Sequence, residues 1–342
     1  MLNSVCSLSM ITQIGLLILV VLGVIKAYLI LTTGVCTSTK KLTGKTVIIT
    51  GANTGIGKET ALDLAKRGAR VILACRDPKK AAIAKEDIIR ESRNKNVFIR
   101  QLDLTSLKSV RKFAADILKS ELRLDVLINN AGCATIEKKL TEDGLEVQMQ
   151  SNHFGHFLLT NLLLGLMMKT AGTKLEVEKS VRIINVSSTA HRWIKKLNLD
   201  DLTFERDPSD NKILNIYGIT KLCNVLFSKE LAKKLEPFGK NITVNALHPG
   251  VVQTEFGRFL PHETLVKIAS YVSSIFSKSA KEGAQTSIHL AVADEVANVT
   301  GEYFSDCKIA KTSKLAKDLE LAKKLWEVSE TFVKLKPEER HF

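Results

Sequence analysis

Cysteine is scarce and scattered. The six residues, Cys6, Cys36, Cys75, Cys133, Cys223 and Cys307, include no C-x-x-C pair. That spacing fits neither a zinc site nor a disulfide-stapled secreted scaffold, and implies reduced thiols in a cytosol-facing domain. No internal repeat and no low-complexity tract is present. Basic residues outnumber acidic ones, 50 against 36, for a formal net charge of +14. No basic patch carries interleaved aromatics, however, so nucleic acid is not an expected partner. The surplus biases the surface toward phosphorylated cofactors or acidic headgroups, and much of it lies on helix faces such as LAKKLEPFGK, where lysines are ordinarily solvated. His153 and His156 share a helix face without further ligands at metal spacing, so packing or substrate contact outweighs a metal site, and no metal is expected.

The N-terminus departs from a soluble pattern. No Lys or Arg precedes the run IGLLILVVLGVIKAYLILTTGV, Ile14 to Val35, which is apolar except for Lys26, Tyr28 and a few small polar residues. A bilayer span needs about 20 such residues. A cleaved signal peptide calls for a charged start and a shorter apolar stretch, so an uncleaved anchor over residues 1–36 is favoured. A linker over 37–43 follows, and Lys40, Lys41 and Lys45 place the remainder on the cytosolic side.

Beyond the linker, short β-branched runs alternate with helical patterns. TVIIT, RVILAC, VFIRQLDL, LDVLINNAG, VRIINVSS and ITVNALHPG read as strands, with helices such as GKETALDLAKRG between them. That alternation predicts an α/β fold, a single Rossmann-type doubly wound parallel sheet over 44–308. Ligands of such sheets bind at the C-terminal strand ends, where glycines and polar residues crowd here. Residues 256–281 are amphipathic without a strand and are expected to form a substrate lid. Residues 309–342 form a lysine-rich helical extension, able to lie on the domain or on a membrane.

After the first strand comes TGANTGIGKE. Gly51, Gly55 and Gly57 let the backbone approach a pyrophosphate, and the helix starting near Ile56 offers free N–H groups at its positive end. The G-x-x-x-G-x-G spacing differs from the G-x-G-x-x-G fingerprint, and a glycine turn without ligand is the plain alternative. The next strand ends LACRD, about 20 residues on, where nucleotide-binding folds select their cofactor. Cys75 stands where a carboxylate would accept ribose hydroxyls, and Arg76 can pair with a 2′-phosphate, which favours NADP(H). The alternative for Arg76 is a pair with Asp77 or solvent. Lys58 can add to the phosphate contact or be solvated. Asp103 and Leu104 can line the adenine site, or Asp103 can cap the following helix.

YGITK places Tyr217 and Lys221 at i and i+4 on one helix face. A nearby ammonium stabilises phenolate, so the phenol is expected to be drawn down toward neutrality and to exchange a proton with an alcohol or carbonyl. Ser188, in NVSSTAH, can hydrogen-bond the same substrate oxygen. An isolated Y-x-x-x-K pair is common on helix surfaces, but here it accompanies the glycine loop.

Taken together, TGANTGIG, NNAG (Asn129 to Gly132), Ser188, YGITK and HPG (His248 to Gly250) resemble the short-chain dehydrogenase/reductase family over residues 44 to 305. The resemblance implies a seven-stranded sheet and a catalytic tetrad of Asn152, Ser188, Tyr217 and Lys221, with Asn152 holding a water that extends the relay from Lys221. It further implies cofactor contacts from Gly51, Asn53, Thr54, Gly55, Ile56, Gly57, Arg76, Asp103, Leu104, Asn130, Ala131, Gly132, Tyr217, Lys221, Pro249, Gly250, Val252 and Thr254. GANTGIGKETALDLAKRGARVILACRD, NVSSTAH, HPGVV and GEYFSDCK are most similar to the microsomal retinol dehydrogenases. From that likeness follow a lipophilic alcohol or carbonyl substrate, retinal foremost, NADP as cofactor, and a membrane as partner, that of the endoplasmic reticulum; a homo-oligomer stays open. Steroid or fatty-aldehyde carbonyl reduction with the same tetrad, and NADP binding without turnover, are the competing readings.

Overall fold

The alternation read from the sequence folds into one twisted sheet with helices on both faces. The computed structural model describes residues 2–135, 138–172, 181–206, 213–239, 241–252 and 277–342. A long helix, α1 (Leu2–Thr32), precedes the domain. The units that follow are β1 (Thr46–Thr50), α2 (Gly55–Lys66), β2 (Arg70–Cys75), α3 (Pro78–Ser92), β3 (Val97–Gln101), α4 (Leu107–Ser120) and β4 (Val126–Asn129). The second half holds a short helix α5 (Val147–Met149), a π-turn (Gln150–Phe154), α6 (Gly155–Ala171), β5 (Val181–Val186), α7 (Ile213–Leu235) and β6 (Ile242–His248). It ends with α8 (Ala280–Val292), the hairpin strands β7 (Tyr303–Ser305) and β8 (Lys308–Ile309), and α9 (Leu319–Phe332).

Strand order is β3-β2-β1-β4-β5-β6-β7-β8. The strands through β7 pair in parallel, and β8 adds an antiparallel edge. The expected seven-stranded sheet therefore gains an eighth strand. The two-residue β8 carries no periodic signal of its own, since it exists only through pairing with β7. β1 is flanked by β2 and β4, so the order reverses there, which is the switch point where open α/β sheets hold ligands.

Side-chain alternation divides the core into two layers. Ile48, Ile72, Leu127, Ile183 and Val244 face α4, α6, α7 and α9, whereas Val47, Ile49, Val71, Leu73, Ile128 and Ile184 face α2 and α8. Most inner strand residues are fully buried, which is why their sequences read as continuous apolar runs instead of alternating ones.

Residues 33–43 are tied to the domain. The Gly34 N–H donates to Asp306 Oδ1 at 3.2 Å and the Cys36 N–H to Gln285 Oε1 at 3.0 Å. Arg67 Nη1 donates to the Ser38 carbonyl at 2.7 Å, and Lys40 pairs with Asp294. Among the described residues no helix is long and apolar enough to cross a membrane, and several side chains of α1 lie outside them. Of the expected lid, 256–276 lies outside the described residues, and 280–281 belongs to the first turn of α8.

The C-terminal extension lies on the domain. Trp326 of α9 is buried against Phe157 and Phe227, with ring centroids 4.8 and 5.9 Å away, and the Lys234 ammonium sits 5.0 Å over its ring. Arg111 donates to the Val333 and Lys334 carbonyls at 3.1 and 2.9 Å, which fixes the far end. Truncating a buried aromatic costs about 3–5 kcal/mol. Trp326→Ala is therefore expected to lower the melting temperature by roughly 10 °C. A shift below about 2 °C in a thermal scan would show that α9 contributes little to the fold.

Candidate active site

The glycine loop leaves β1 at the switch point and leads into α2. Gly51 and Gly55 adopt φ of +65° and +56°, a region that disfavours side chains. At Gly57 an added Cβ would lie 2.5 Å from the Gly51 carbonyl oxygen and 2.6 Å from Asn130 Nδ2. α2 thus begins tightly against the loop. The side chain of its N-cap residue Thr54 makes no capping hydrogen bond, whereas Asp77, Ser106, Ser279 and Asp318 cap α3, α4, α8 and α9. The first N–H groups of α2, at Gly55, Ile56 and Gly57, lack a side-chain cap.

One hydroxyl that sequence reasoning missed organises the switch point. Thr50 Oγ1 accepts the Asn130 and Ala131 N–H groups, both at 2.9 Å, and lies 2.9 Å from His156 Nε2. With both acceptor positions filled, the hydroxyl donates to Nε2. The His156 ring therefore carries its proton on Nδ1 and donates it to the Asn152 carbonyl at 3.1 Å. The Asn130 side chain donates to the Thr50 carbonyl at 2.8 Å. The only sequence sign of this junction is that Thr50 directly precedes Gly51.

Asn152 sits in the π-turn, fully buried. Its Oδ1 accepts the Cys133 N–H at 2.8 Å, and its Nδ2 donates to the Cys133 carbonyl at 2.9 Å and to Thr220 Oγ1 at 3.1 Å. Its amide thus brackets the loop after β4 to α7, and the relay water expected from the resemblance would need other donors. Thr220 in turn donates to the Tyr217 carbonyl at 2.8 Å.

Ser188 lies just past β5 and hydrogen-bonds the Tyr217 phenol, whose ring centroid is 5.4 Å from Lys221 Nζ. Lys221 is buried, its ammonium donating to the Val186 carbonyl at 3.0 Å. A Cβ at Gly132 would be 3.3 Å from that ammonium and 3.4 Å from Asn152 Oδ1, so a side chain there would crowd both groups. The expected drop in the tyrosine's pKa is not found. Burial pushes Tyr217 up to about 12, against the pull of the Ser188 hydroxyl, and burial lowers Lys221 to about 8. Sequence spacing reports that the two groups are neighbours but not how dry their surroundings are, and here desolvation wins.

Past the end of β2, Arg76 is exposed and lines a cavity of about 350 Å³ with Asp103, Thr105, Ser106, Thr141, Glu142 and Val147. Asp77 caps α3 by accepting the Lys79 N–H at 2.9 Å, and among the described residues no carboxylate pairs with Arg76. Lys58 pairs with Asp87 at 2.6 Å and is not turned to this cavity. Cys75 is buried, its thiol facing the Ala52 and Asn53 N–H groups, so it supports the glycine loop. Asp103 does not cap α4, a role held by Ser106; its carboxylate accepts the Thr105 N–H at 2.9 Å. Leu104 is buried, its carbonyl where a Cβ at Gly155 would come within 2.6 Å.

At the other end, Pro249, Gly250 and Val252 follow β6, with Gly250 at φ +93°. Val252 packs on α8 so closely that a Cβ at Gly283 would come within 2.6 Å of it. Thr254 lies outside the described residues. The loops of β1, β2, β4, β5 and β6 thus converge along one sheet edge, with the Tyr217 phenol at one end and, at the other, the Arg76 guanidinium, which has no carboxylate partner among the described residues. The cradle formed by Gly51, Gly57 and the uncapped start of α2 suits a dinucleotide.

A short chain dehydrogenase family model matches residues 45–195. Human retinol dehydrogenase 13 is 47% identical over 307 residues, covering 89% of each chain. The chain belongs to the short-chain dehydrogenase/reductase family. Human retinol dehydrogenase 12 is 46% identical, over 86% of this chain and 88% of its own, which places the chain in the retinol dehydrogenase subgroup of the family. A Mycobacterium paratuberculosis protein of solved structure superposes with a TM-score of 0.69 at 33% identity, over 88% of this chain and 98% of that one. The Pseudomonas aeruginosa RhlG/NADP complex superposes with a TM-score of 0.61 at 26% identity, over 77% and 95%. As a short-chain dehydrogenase/reductase the protein is an oxidoreductase that uses a nicotinamide cofactor.

Two histidines beside this site make folding pH-sensitive. His153, 2.9 Å from Ser329 Oγ, and His156 are both buried, and burial lowers them to about 3 and about 4. Below their ordinary value of 6.5 the unfolded chain takes up protons that the native state refuses, so stability falls as pH drops from 6.5 toward 4. Each contributes on the order of 1 kcal/mol per pH unit in that window. His153→Gln, which keeps a polar group near Ser329 without titrating, should show a shallower fall in melting temperature between pH 6.5 and 4. An unchanged slope would remove His153 from the account.

Proposed function

We propose that the protein is a membrane-anchored, NADP-dependent oxidoreductase that interconverts a lipophilic alcohol with its aldehyde or ketone, retinal and retinol being the leading pair. The observation that carries this reading is the Ser188–Tyr217–Lys221 group facing Gly132 beside the glycine loop. A bound reduced nicotinamide would supply the hydride. Ser188 and Tyr217 together grip the carbonyl oxygen, and Tyr217 delivers the proton as negative charge develops there. A phenol held near 12 is fully protonated at neutral pH, which suits the direction of carbonyl reduction. The buried Lys221 ammonium stabilises the phenolate left after transfer and is placed to hold the nicotinamide ribose. Gly51, Asn53, Thr54, Gly55, Ile56 and Gly57 would cradle the pyrophosphate, Asp103, Leu104, Asn130 and Ala131 would flank the adenosine half, and Pro249, Gly250, Val252 and Thr254 would receive the carboxamide.

NADP is supported by the unpaired Arg76 in its cavity and by the NADP complex of RhlG. The substrate class follows the names of the retinol dehydrogenases to which the chain is similar. α1 runs for 31 residues, about 46 Å at the helical rise, which is long enough for a span. It includes most of the apolar Ile14–Val35 segment, and with Lys40, Lys41 and Lys45 beyond it this supports an anchor with the catalytic domain on the cytosolic side, while the endoplasmic reticulum rests on the resemblance to the microsomal enzymes alone.

Tyr217→Phe removes the proton donor and keeps the ring. With retinal and NADPH, kcat should fall by about two to four powers of ten while NADPH binding stays within about twofold. Wild-type turnover by that variant would sink the assignment. Arg76→Leu should lower the preference for NADPH over NADH by one to two powers of ten, the worth of roughly 1.5–3 kcal/mol for a charge-assisted hydrogen-bonded pair. The measurement is kcat/KM with each cofactor, and an unaltered ratio, or a wild type that already prefers NADH, would remove the basis for NADP.

A further inference from the structure

The string GEYFSDCK, residues 301–308, belongs to no part of the machinery described above, yet it builds an unusual turn. Asp306 and Cys307, which join β7 to β8, both have left-handed backbones, with φ of +52° and +59°. Consecutive left-handed residues are the tight-hairpin geometry that glycine and asparagine ordinarily serve. Aspartate suits the first of these positions as asparagine does, but Cys307 at the second is neither glycine nor a short polar residue, and such strain persists where neighbouring contacts impose it. The contacts are present. The Cys307 N–H donates to Thr286 Oγ1 of α8 at 3.3 Å, and Asp306 Oδ2 accepts the Ser305 hydroxyl at 3.1 Å.

Asp306 Oδ1 takes two further partners from distant parts of the chain, the Lys278 ammonium and the Gly34 N–H. Lys278 runs alongside the loop that leaves β6. Its N–H donates to the Val251 carbonyl at 2.7 Å, and it bridges in parallel to Val252. Its aliphatic stem lies where a Cβ at Gly250 would come within 2.6 Å. Burial opposes the charge on Asp306, but the Lys278 ammonium, the Gly34 N–H and the Ser305 hydroxyl outweigh it and hold the carboxyl below its usual range. The pair is partly shielded, its side chains 18% and 36% exposed, so solvent screens it less than an open surface pair.

We propose that Asp306 is a positioning residue for the nicotinamide end of the site: through Lys278 it fixes the 249–252 loop, and through Gly34 it ties that loop to the segment leaving α1. The proposal rests on the reading that this loop receives the nicotinamide carboxamide. It makes a definite statement about the halves of the cofactor. Asp306 acts only on the nicotinamide half, because the adenosine half lies across the sheet edge at Arg76 and Asp103.

The test compares two probes on the full chain in detergent micelles, NADPH and adenosine 2′,5′-bisphosphate, with dissociation constants from fluorescence or calorimetry. Asp306→Asn keeps the turn preference and an acceptor for Gly34 but removes the charge that holds Lys278. Lys278→Met keeps the stem over Gly250 and removes the ammonium. Each should weaken NADPH about tenfold and lower kcat, leave the bisphosphate within about twofold, and show no further loss when combined. Gly34→Ala forces its Cβ to 2.1 Å from the Asp306 carbonyl carbon unless the segment moves, and should give the same selective loss in smaller measure. Equal weakening of both probes would mean a merely structural role, and unchanged NADPH binding in both charge variants would mean no role, so either overturns the proposal. Unchanged NADPH binding in Gly34→Ala overturns its link to α1. A wild type that binds neither probe instead overturns the cofactor reading beneath it.

Discussion

The Thr50 hydroxyl is the junction on which the site depends. It stands at the strand-order reversal, where β1 and β4 diverge and their loops would otherwise separate. By accepting the Asn130 and Ala131 N–H groups it fixes the second loop to the first, and by donating to His156 it sets which ring nitrogen faces Asn152. The Asn152 amide then reaches Cys133 and Thr220, and Thr220 reaches the Tyr217 carbonyl. An unbroken chain of hydrogen bonds thus runs from the start of the glycine loop to the helix that carries the proton donor. The π-turn at Gln150–Phe154 belongs to this arrangement, since the widened turn is where Asn152 reaches both loop and helix.

Burial governs the chemistry more than the charges do. Lys221 has no carboxylate within ion-pair distance among the described residues, only the Val186 carbonyl, so its ammonium carries much of the cost of desolvation. Tyr217 is half-buried, and there burial outweighs the Ser188 hydrogen bond and raises its phenol. On the proposed reading, hydrogen bonds from Ser188 and Tyr217 to a developing oxyanion would gain from this partial burial. The pair is better described as a donor and a buried counter-charge than as a phenolate prepared in advance.

Much of this was legible in the sequence where the signal is local. The central strands appear as apolar runs starting within two residues of those found, although VFIRQLDL, LDVLINNAG, VRIINVSS and ITVNALHPG run past the ends of β3, β4, β5 and β6, because the small and polar residues that close each run already belong to the loops at the sheet edge. The Y-x-x-x-K spacing and the glycine loop are local too, and the fold brings both to the same sheet edge. What the sequence hid is non-local. Thr50 is one threonine among many until β4 lies beside it, β8 is two residues defined by a partner strand, and residues 33–43 read as the end of an anchor (to 36) and a linker (37–43) until Asp306, Gln285 and Arg67 come into reach. The direction of the Tyr217 shift was misread for the same reason, because neighbours along a helix are visible in a sequence and the dielectric around them is not.

The contrast among the helix starts shows how the fold tolerates an open site. α3, α4, α8 and α9 begin on side-chain caps, each worth about 1 kcal/mol. α2 has no side-chain cap and carries glycines at its first and third positions, which cost roughly 0.5–1 kcal/mol each against alanine. Left to itself it would be a weaker helix start than those four. It is held instead by its other face, where Ala61, Leu62, Leu64 and Ala65 are buried in the layer shared with β1, β2 and α8. Packing therefore stabilises the helix from behind, and its first N–H groups can remain without side-chain partners at the one place where a phosphate can use them.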